Sequence, residues 1–156
     1  MCKSRLISLL LLFFLIHPVY LFPDEGKSRQ GENPETLPLN RDFYLKFTQF
    51  HPINRDDYLE STLNKIVICR GKIKSIDKSD RYRRKYRIQC VDRDAEQLNL
   101  TVVYYVFVDN KDSIAMLAVD SIFEFNGQLA AYTPLNSLRN SYIFDIILEK
   151  GAIVIE

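Results

Sequence analysis

The 156-residue chain has no Trp, only two His, three Cys, five Gly and six Pro. Those shortages exclude whole classes. Collagen-like and low-complexity chains need far more Gly and Pro, and a disulfide scaffold of this length needs more Cys. Of the two His, His17 lies in an N-terminal apolar segment, so a Ser-His-Asp or Cys-His arrangement would rest on His51, which precedes Pro52 in a connection. No catalytic residue is assigned, and the chain is not expected to be an enzyme. No two Cys stand two to four residues apart, and no acidic loop has a calcium pattern. No Gly-rich phosphate loop occurs, so neither a metal nor a cofactor is expected. The closest acidic cluster, Asp92, Asp94 and Glu96, reads as a solvated turn.

What is present points to a folded domain. Apolar residues make up 47% of the chain and charged ones 26%, which excludes disorder throughout. Ten Phe and nine Tyr must supply the aromatic packing. The formal charge of +1 hides an uneven distribution. Lys65 to Arg87 holds ten basic residues against Asp77 and Asp80, whereas Ile88 to Glu156 holds four basic and ten acidic ones. A basic hairpin on an acidic body is the main electrostatic feature.

Lys3 and Arg5 precede the apolar run Leu6 to Ile16, the pattern of a signal peptide or membrane anchor over residues 1–23. Residues 17–23 offer only Val19 near the small residues a cleavage site wants. Uncleaved, Leu6 to Phe22 is long enough to contact or barely cross a membrane, and either outcome exports the remainder. Residues 24–40 are polar with scattered Gly and Pro and read as a flexible linker.

Residues 41–64 read as helical. Phe43, Phe47 and Phe50 share one helical face up to His51-Pro52, and Asn54 can cap a second helix, Arg55 to Leu63. From residue 65 the period becomes two. Strand 1, Lys65 to Ile76, sets Val67, Cys69, Gly71 and Ile73 on one face and Arg70, Lys72 and Lys74 on the other. Strand 2, Tyr82 to Val91, alternates Tyr86, Ile88 and Cys90 with Arg83, Lys85 and Arg87. A hairpin turning at Ser79-Asp80 merges the apolar faces and puts Cys69 opposite Cys90. In an exported protein that opposition predicts a disulfide, worth on the order of 3 kcal/mol by chain entropy. Strand 3 is Leu98 to Val108, a short helix capped by Asp109 or Asn110 follows, and strands 4 and 5 are Ser121 to Ala131 and Tyr142 to Leu148, with residues 152–155 extending the sheet. Asn99-Leu-Thr101, a formal glycosylation triplet, falls inside strand 3 and reads as chance.

Arg70-Gly-Lys-Ile73 and Asn126-Gly-Gln-Leu129 echo one another, and a Gly within a strand marks a bulge or sharp bend. With the order of three strands, a short helix and two strands, the expected fold is mainly β: a five-stranded Greek-key OB-fold barrel with a short helix between strands 3 and 4 and N-terminal helices. Residues 58–76 and 117–129 resemble the small exported OB-fold proteins of bacteria, the tRNA-anticodon-binding-like OB family and the bacterial OB-fold family of periplasmic proteins. The resemblance implies a non-catalytic binding or envelope protein of the periplasm or outer envelope.

Within that frame the candidate contact surface is the basic hairpin: Arg70, Lys72, Lys74, Arg81, Tyr82, Arg83, Lys85 and Arg87, with Tyr105 on the next strand. The expected partner is an anionic envelope polymer, a lipid headgroup or an acidic protein. Nucleic acid ranks below these, although basic residues interleaved with aromatics also suit single strands. A structural role in an envelope assembly, through Phe43, Phe47 and Phe50, is the third expectation.

Overall fold

A computed structural model describes residues 36–154. The apolar run of residues 6–22 and most of the expected linker lie outside the described residues. The fold is mainly β, with one strand more than expected. The strands are β1 (Thr36–Leu39), β2 (Ile66–Lys78), β3 (Tyr86–Val91), β4 (Thr101–Val108), β5 (Ile122–Pro134) and β6 (Ser141–Val154). Among the described residues four short α-helices join them, α1 (Arg41–Gln49), α2 (Pro52–Glu60), α3 (Arg93–Glu96) and α4 (Lys111–Ala115), with a single 3-10 turn at Arg81–Arg83 between β2 and β3. The longer strands pair in a cycle, β2 with β3, β3 with β4, β4 with β6, β6 with β5, and β5 back with β2. Only the β4–β6 pairing within that cycle is parallel.

The extra strand, β1, falls in the expected linker and runs parallel to β2, with Leu39 opposite Cys69. An edge position tolerates its Pro38. Asn40 then caps α1, its side-chain oxygen accepting the Phe43 N–H at 3.1 Å. Phe43, Tyr44 and Phe47 of α1 are buried. Phe47 meets the Tyr142 ring edge-on at 5.4 Å, while Phe50 packs on Tyr58 at 4.8 Å. Phe43 and Phe47 of the trio thus pack into the chain's own core, while Phe50 is half-buried against Tyr58. The second helix starts three residues earlier than expected, with Pro52 in its first turn and His51, not Asn54, at the cap. Proline lacks the N–H that a helix start leaves unpaired anyway.

The inward faces follow the two-residue period. Val67, Cys69 and Ile73 of β2, Ile88 and Cys90 of β3, and Val102, Tyr104 and Val106 of β4 are all buried in one core. Register departs from expectation. Cys90 lies opposite Ile73, and Cys69 pairs with Phe125 of β5, so the direct opposition behind the Cys69–Cys90 disulfide is absent. Both thiols are free and buried. The cause is the turn: Tyr82 and Arg83 have φ of 55° and 57°, outside any strand, so β3 starts only at Tyr86. A bulge between Ile73 and Ser75 then restores the inward alternation.

The acidic turn is not simply solvated. Asp92 is buried, caps α3 by accepting the Ala95 N–H at 3.0 Å, and accepts the Tyr104 hydroxyl proton. The Tyr44 hydroxyl lies 2.5 Å from that of Tyr104. A buried polar chain therefore ties α1 to β4 and α3, and burial raises the Asp92 pKa. Asn99, expected within strand 3, is an exposed turn residue with φ of 57°.

Candidate ligand-binding face

Because side chains alternate along a strand, Tyr105 and Phe107 of β4 point away from the core that Tyr104 and Val106 fill. By the same rule Arg87 and Gln89 of β3 and Asp145 of β6 share that outer face, Gln89 opposite Tyr105 and Tyr105 opposite Asp145. Two cation–aromatic groupings stand there. Arg87 lies 4.7 Å over the Tyr105 ring and 3.1 Å from Asp77 of β2. Hydrogen bonds from Ser75 and Arg87 lower the Asp77 pKa.

The second grouping is made by the β2–β3 turn folding back onto the face. Phe107 is 1% exposed and Asp145 3%, although both point outward. The Tyr82 ring meets Phe107 edge-on at 4.9 Å, and its hydroxyl donates to Asp145 Oδ2 at 2.9 Å. Arg81 reaches the same oxygen at 2.7 Å and lies 5.0 Å from the Tyr82 ring centre. Burial, then the bond to Asp145, raises the Tyr82 hydroxyl pKa. Asp145 Oδ1 is buried without a hydrogen-bond partner among the described residues. The turn's other side is tied to the β4–α4 connection, Arg84 pairing with Asp109 at 2.9 Å and the Lys85 N–H donating to Asp109 at 3.2 Å.

The structure thus gathers Arg81, Tyr82, Arg87 and Tyr105 on one face. Arg83 and Lys85 are exposed on the turn beside them. Arg70 and Lys72 belong elsewhere, on the β2–β5 seam, where Arg70 is opposite Glu124 and Lys72 is 2.6 Å from Asp120. Lys74 sits exposed at the bulge. Of the ten basic residues between Lys65 and Arg87, four (Lys72, Arg81, Arg84 and Arg87) are ion-paired among the described residues, so the run is less cationic than its composition.

Asp145, Phe107, Asp77 and Asp109 are not among the site residues expected from sequence, where Asp109 reads only as a helix cap. Asp145 had a signal, since it alone is charged within Tyr142-Ile-Phe-Asp-Ile-Ile-Leu148. Elsewhere a cleft of about 320 Å³ is lined by His51, Pro52, Ile53, Asp56, Ser137 and Arg139. No hydrogen bond joins His51 to Ser137 or Asp56 among the described residues, and Asp56 is held by Arg139 at 3.1 Å.

No protein-family model and no curated protein matches the chain. Among solved structures it is similar to a putative nucleic acid-binding lipoprotein of Klebsiella pneumoniae, at 19% identity over 78% of this chain and 92% of that one, with a TM-score of 0.45. It is also similar to DNA-binding domain A of Replication Protein A from Saccharomyces cerevisiae, at 10% identity over 77% of this chain and 96% of that domain, with a TM-score of 0.38.

Proposed function

We propose that the chain is a non-catalytic OB-fold binding module, exported to the cell envelope, that holds an extended anionic ligand on the outer face of β3, β4 and β6. The cyclic order β2-β3-β4-β6-β5, with α4 between β4 and β5 along the chain, follows the Greek-key order of an OB-fold barrel. Such barrels take oligonucleotides and oligosaccharides on their second and third strands and neighbouring loops. The observation that carries the reading is Arg87 stacked on Tyr105 at the centre of that face, beside the exposed Arg83 and Lys85. Export rests on the cationic start and apolar run of residues 1–23.

An anionic polymer of the envelope is the first candidate ligand. Single-stranded nucleic acid is the second, favoured by the interleaving of Tyr82 and Tyr105 with Arg81 and Arg87 on one face. The test is a titration of the full-length chain with labelled polyphosphate, a neutral polysaccharide and a single-stranded oligonucleotide, each at low and raised salt. Polyanion binding should weaken steeply with salt, and replacing Arg83 and Lys85 by Ala should flatten that dependence. Failure to bind any polyanion at low salt refutes the reading.

A further inference from the structure

The buried state of Phe107 and Asp145 is not produced by the core. Phe107 is excluded from the central apolar cluster and is covered instead by the β2–β3 turn. That cover is poorly suited to be a purely structural plug. It holds Tyr82 and Arg83 as two successive non-glycine residues in the left-handed region, which L side chains rarely adopt. It also leaves one buried carboxylate oxygen of Asp145 without a donor among the described residues, while the other receives both Tyr82 and Arg81. The occupant itself describes what the site accepts: an aromatic ring against Phe107 and hydrogen-bond donors onto a carboxylate.

We propose that Phe107 and Asp145 form a concealed recognition site for a planar ring bearing an amino group, of the aminopyrimidine nucleoside class, and that Arg81 and Tyr82 are its internal occupant. The ring would replace Tyr82 on Phe107, and its exocyclic amino group would donate to Asp145, an acceptor suited to the cytosine 4-amino group. Displacement also frees Arg81 from its ion pair, placing an unpaired guanidinium next to the ring for an attached anion. The site lies within the face proposed above and narrows the ligand that face would take. Because the turn competes, apparent affinity is reduced by the fraction of molecules in which the site is closed.

The test uses uncharged cytidine and uridine as probes, with the full-length chain as wild type, as Arg81→Ala/Tyr82→Ala, and as that double variant carrying Asp145→Asn. Opening the turn should tighten cytidine binding about tenfold, a change of about 1.4 kcal/mol, and uridine binding much less. Asp145→Asn should erase the preference, since an amide can serve either ring edge. If the double variant does not fold, Arg81→Gln should give a smaller gain in the same direction. No gain for cytidine, or equal gain for both nucleosides, overturns the proposal. Since the nucleosides carry no charge, the polyphosphate titration separates the two ideas: polyphosphate binding without a cytidine response keeps the anionic reading and removes this site, and the converse does the opposite.

Discussion

Gly127→Ala should destabilise the fold because the added carbon has nowhere to go. Gly127 stands between Val67 of β2 and Leu148 of β6, next to a register shift in the β5–β6 pairing. A Cβ there would lie 2.6 Å from the Ile147 carbonyl oxygen, 2.8 Å from Ile146 Cγ2 and 3.1 Å from the Ile147 carbonyl carbon. Two of those atoms are backbone within a paired strand, so no side-chain rotation relieves the contact. Overpacking of this kind costs about 1–3 kcal/mol. Restricting the unfolded chain returns about 0.4–1 kcal/mol. A net loss of about 1–2 kcal/mol remains, large against the roughly 5–15 kcal/mol that holds an ordinary domain together. Gly71→Ala is the internal comparison. Its nearest contacts would be Cys90 Cβ at 2.9 Å, the Val91 carbonyl oxygen at 3.2 Å and Tyr104 Cδ2 at 3.5 Å, a less severe set. Urea unfolding of both variants should move the midpoint at unchanged slope, further for Gly127→Ala. A Gly127→Ala protein at least as stable as wild type, or one less affected than Gly71→Ala, refutes the packing argument.

Tyr104→Phe removes the hydroxyl that joins Tyr44 to Asp92 and leaves buried polar atoms unpaired, so unfolding experiments should show a loss of about 1–3 kcal/mol. Asp92 gives a pH signature. Burial raises its folded pKa above the ordinary 3.8, so its contribution to stability is fully present below that value and declines as pH rises through the elevated one. Asp92→Asn should flatten that segment of a stability-against-pH profile, and an unchanged slope would count against the buried carboxyl. The thiols of Cys69 and Cys90 should resist an aromatic disulfide reagent until the chain unfolds, since burial pushes Cys90 up to about 12 and Cys69 well above its ordinary value. Rapid labelling of the native protein would contradict that burial. Asn40→Ala removes the α1 cap and should cost about 1 kcal/mol in the same urea assay.

The facing of each strand was legible because it needs only local alternation. Val67, Cys69, Gly71 and Ile73 point inward whichever partner β2 takes, and so do Ile88 and Cys90. Register is set by the turn, and this turn hid its geometry. Tyr82 and Arg83 occupy the left-handed region without the Gly or Asn that usually announces it, so the residues read as more strand. The turn and the bulge between Ile73 and Ser75 together set Cys90 opposite Ile73 instead of Cys69. The paired Gly signature was better evidence. Gly71 comes just before Lys72, which pairs with both β5 and β3, and Gly127 pairs with both β2 and β6. Close strand crossings of that kind leave little room for a side chain. β1 was invisible because four residues containing a proline carry no periodic signal.

Half of the residues of the candidate face were named from sequence, and the other half bears on how the first are held. A sequence with a basic run followed by an acidic remainder suggests a charged ligand, yet the same asymmetry can be satisfied within the molecule. Three of the four ion-paired cations of the run reach into the acidic half, Lys72 to Asp120, Arg84 to Asp109 and Arg81 to Asp145. Two of these carboxylates are well exposed, at 68% and 47%, whereas the Asp145 side chain is 4% exposed. Exposed pairs are screened by salt and worth little, so Lys72 and Arg84 can trade their partners for a ligand at small cost. Arg81 cannot, because releasing it leaves a buried carboxylate that must be given another donor. Any ligand that opens the turn therefore has to supply hydrogen-bond donors to Asp145 as well as charge to the arginines, and a plain polyanion, lacking such donors, should bind along the exposed Arg83 and Lys85 while leaving Tyr82 on Phe107.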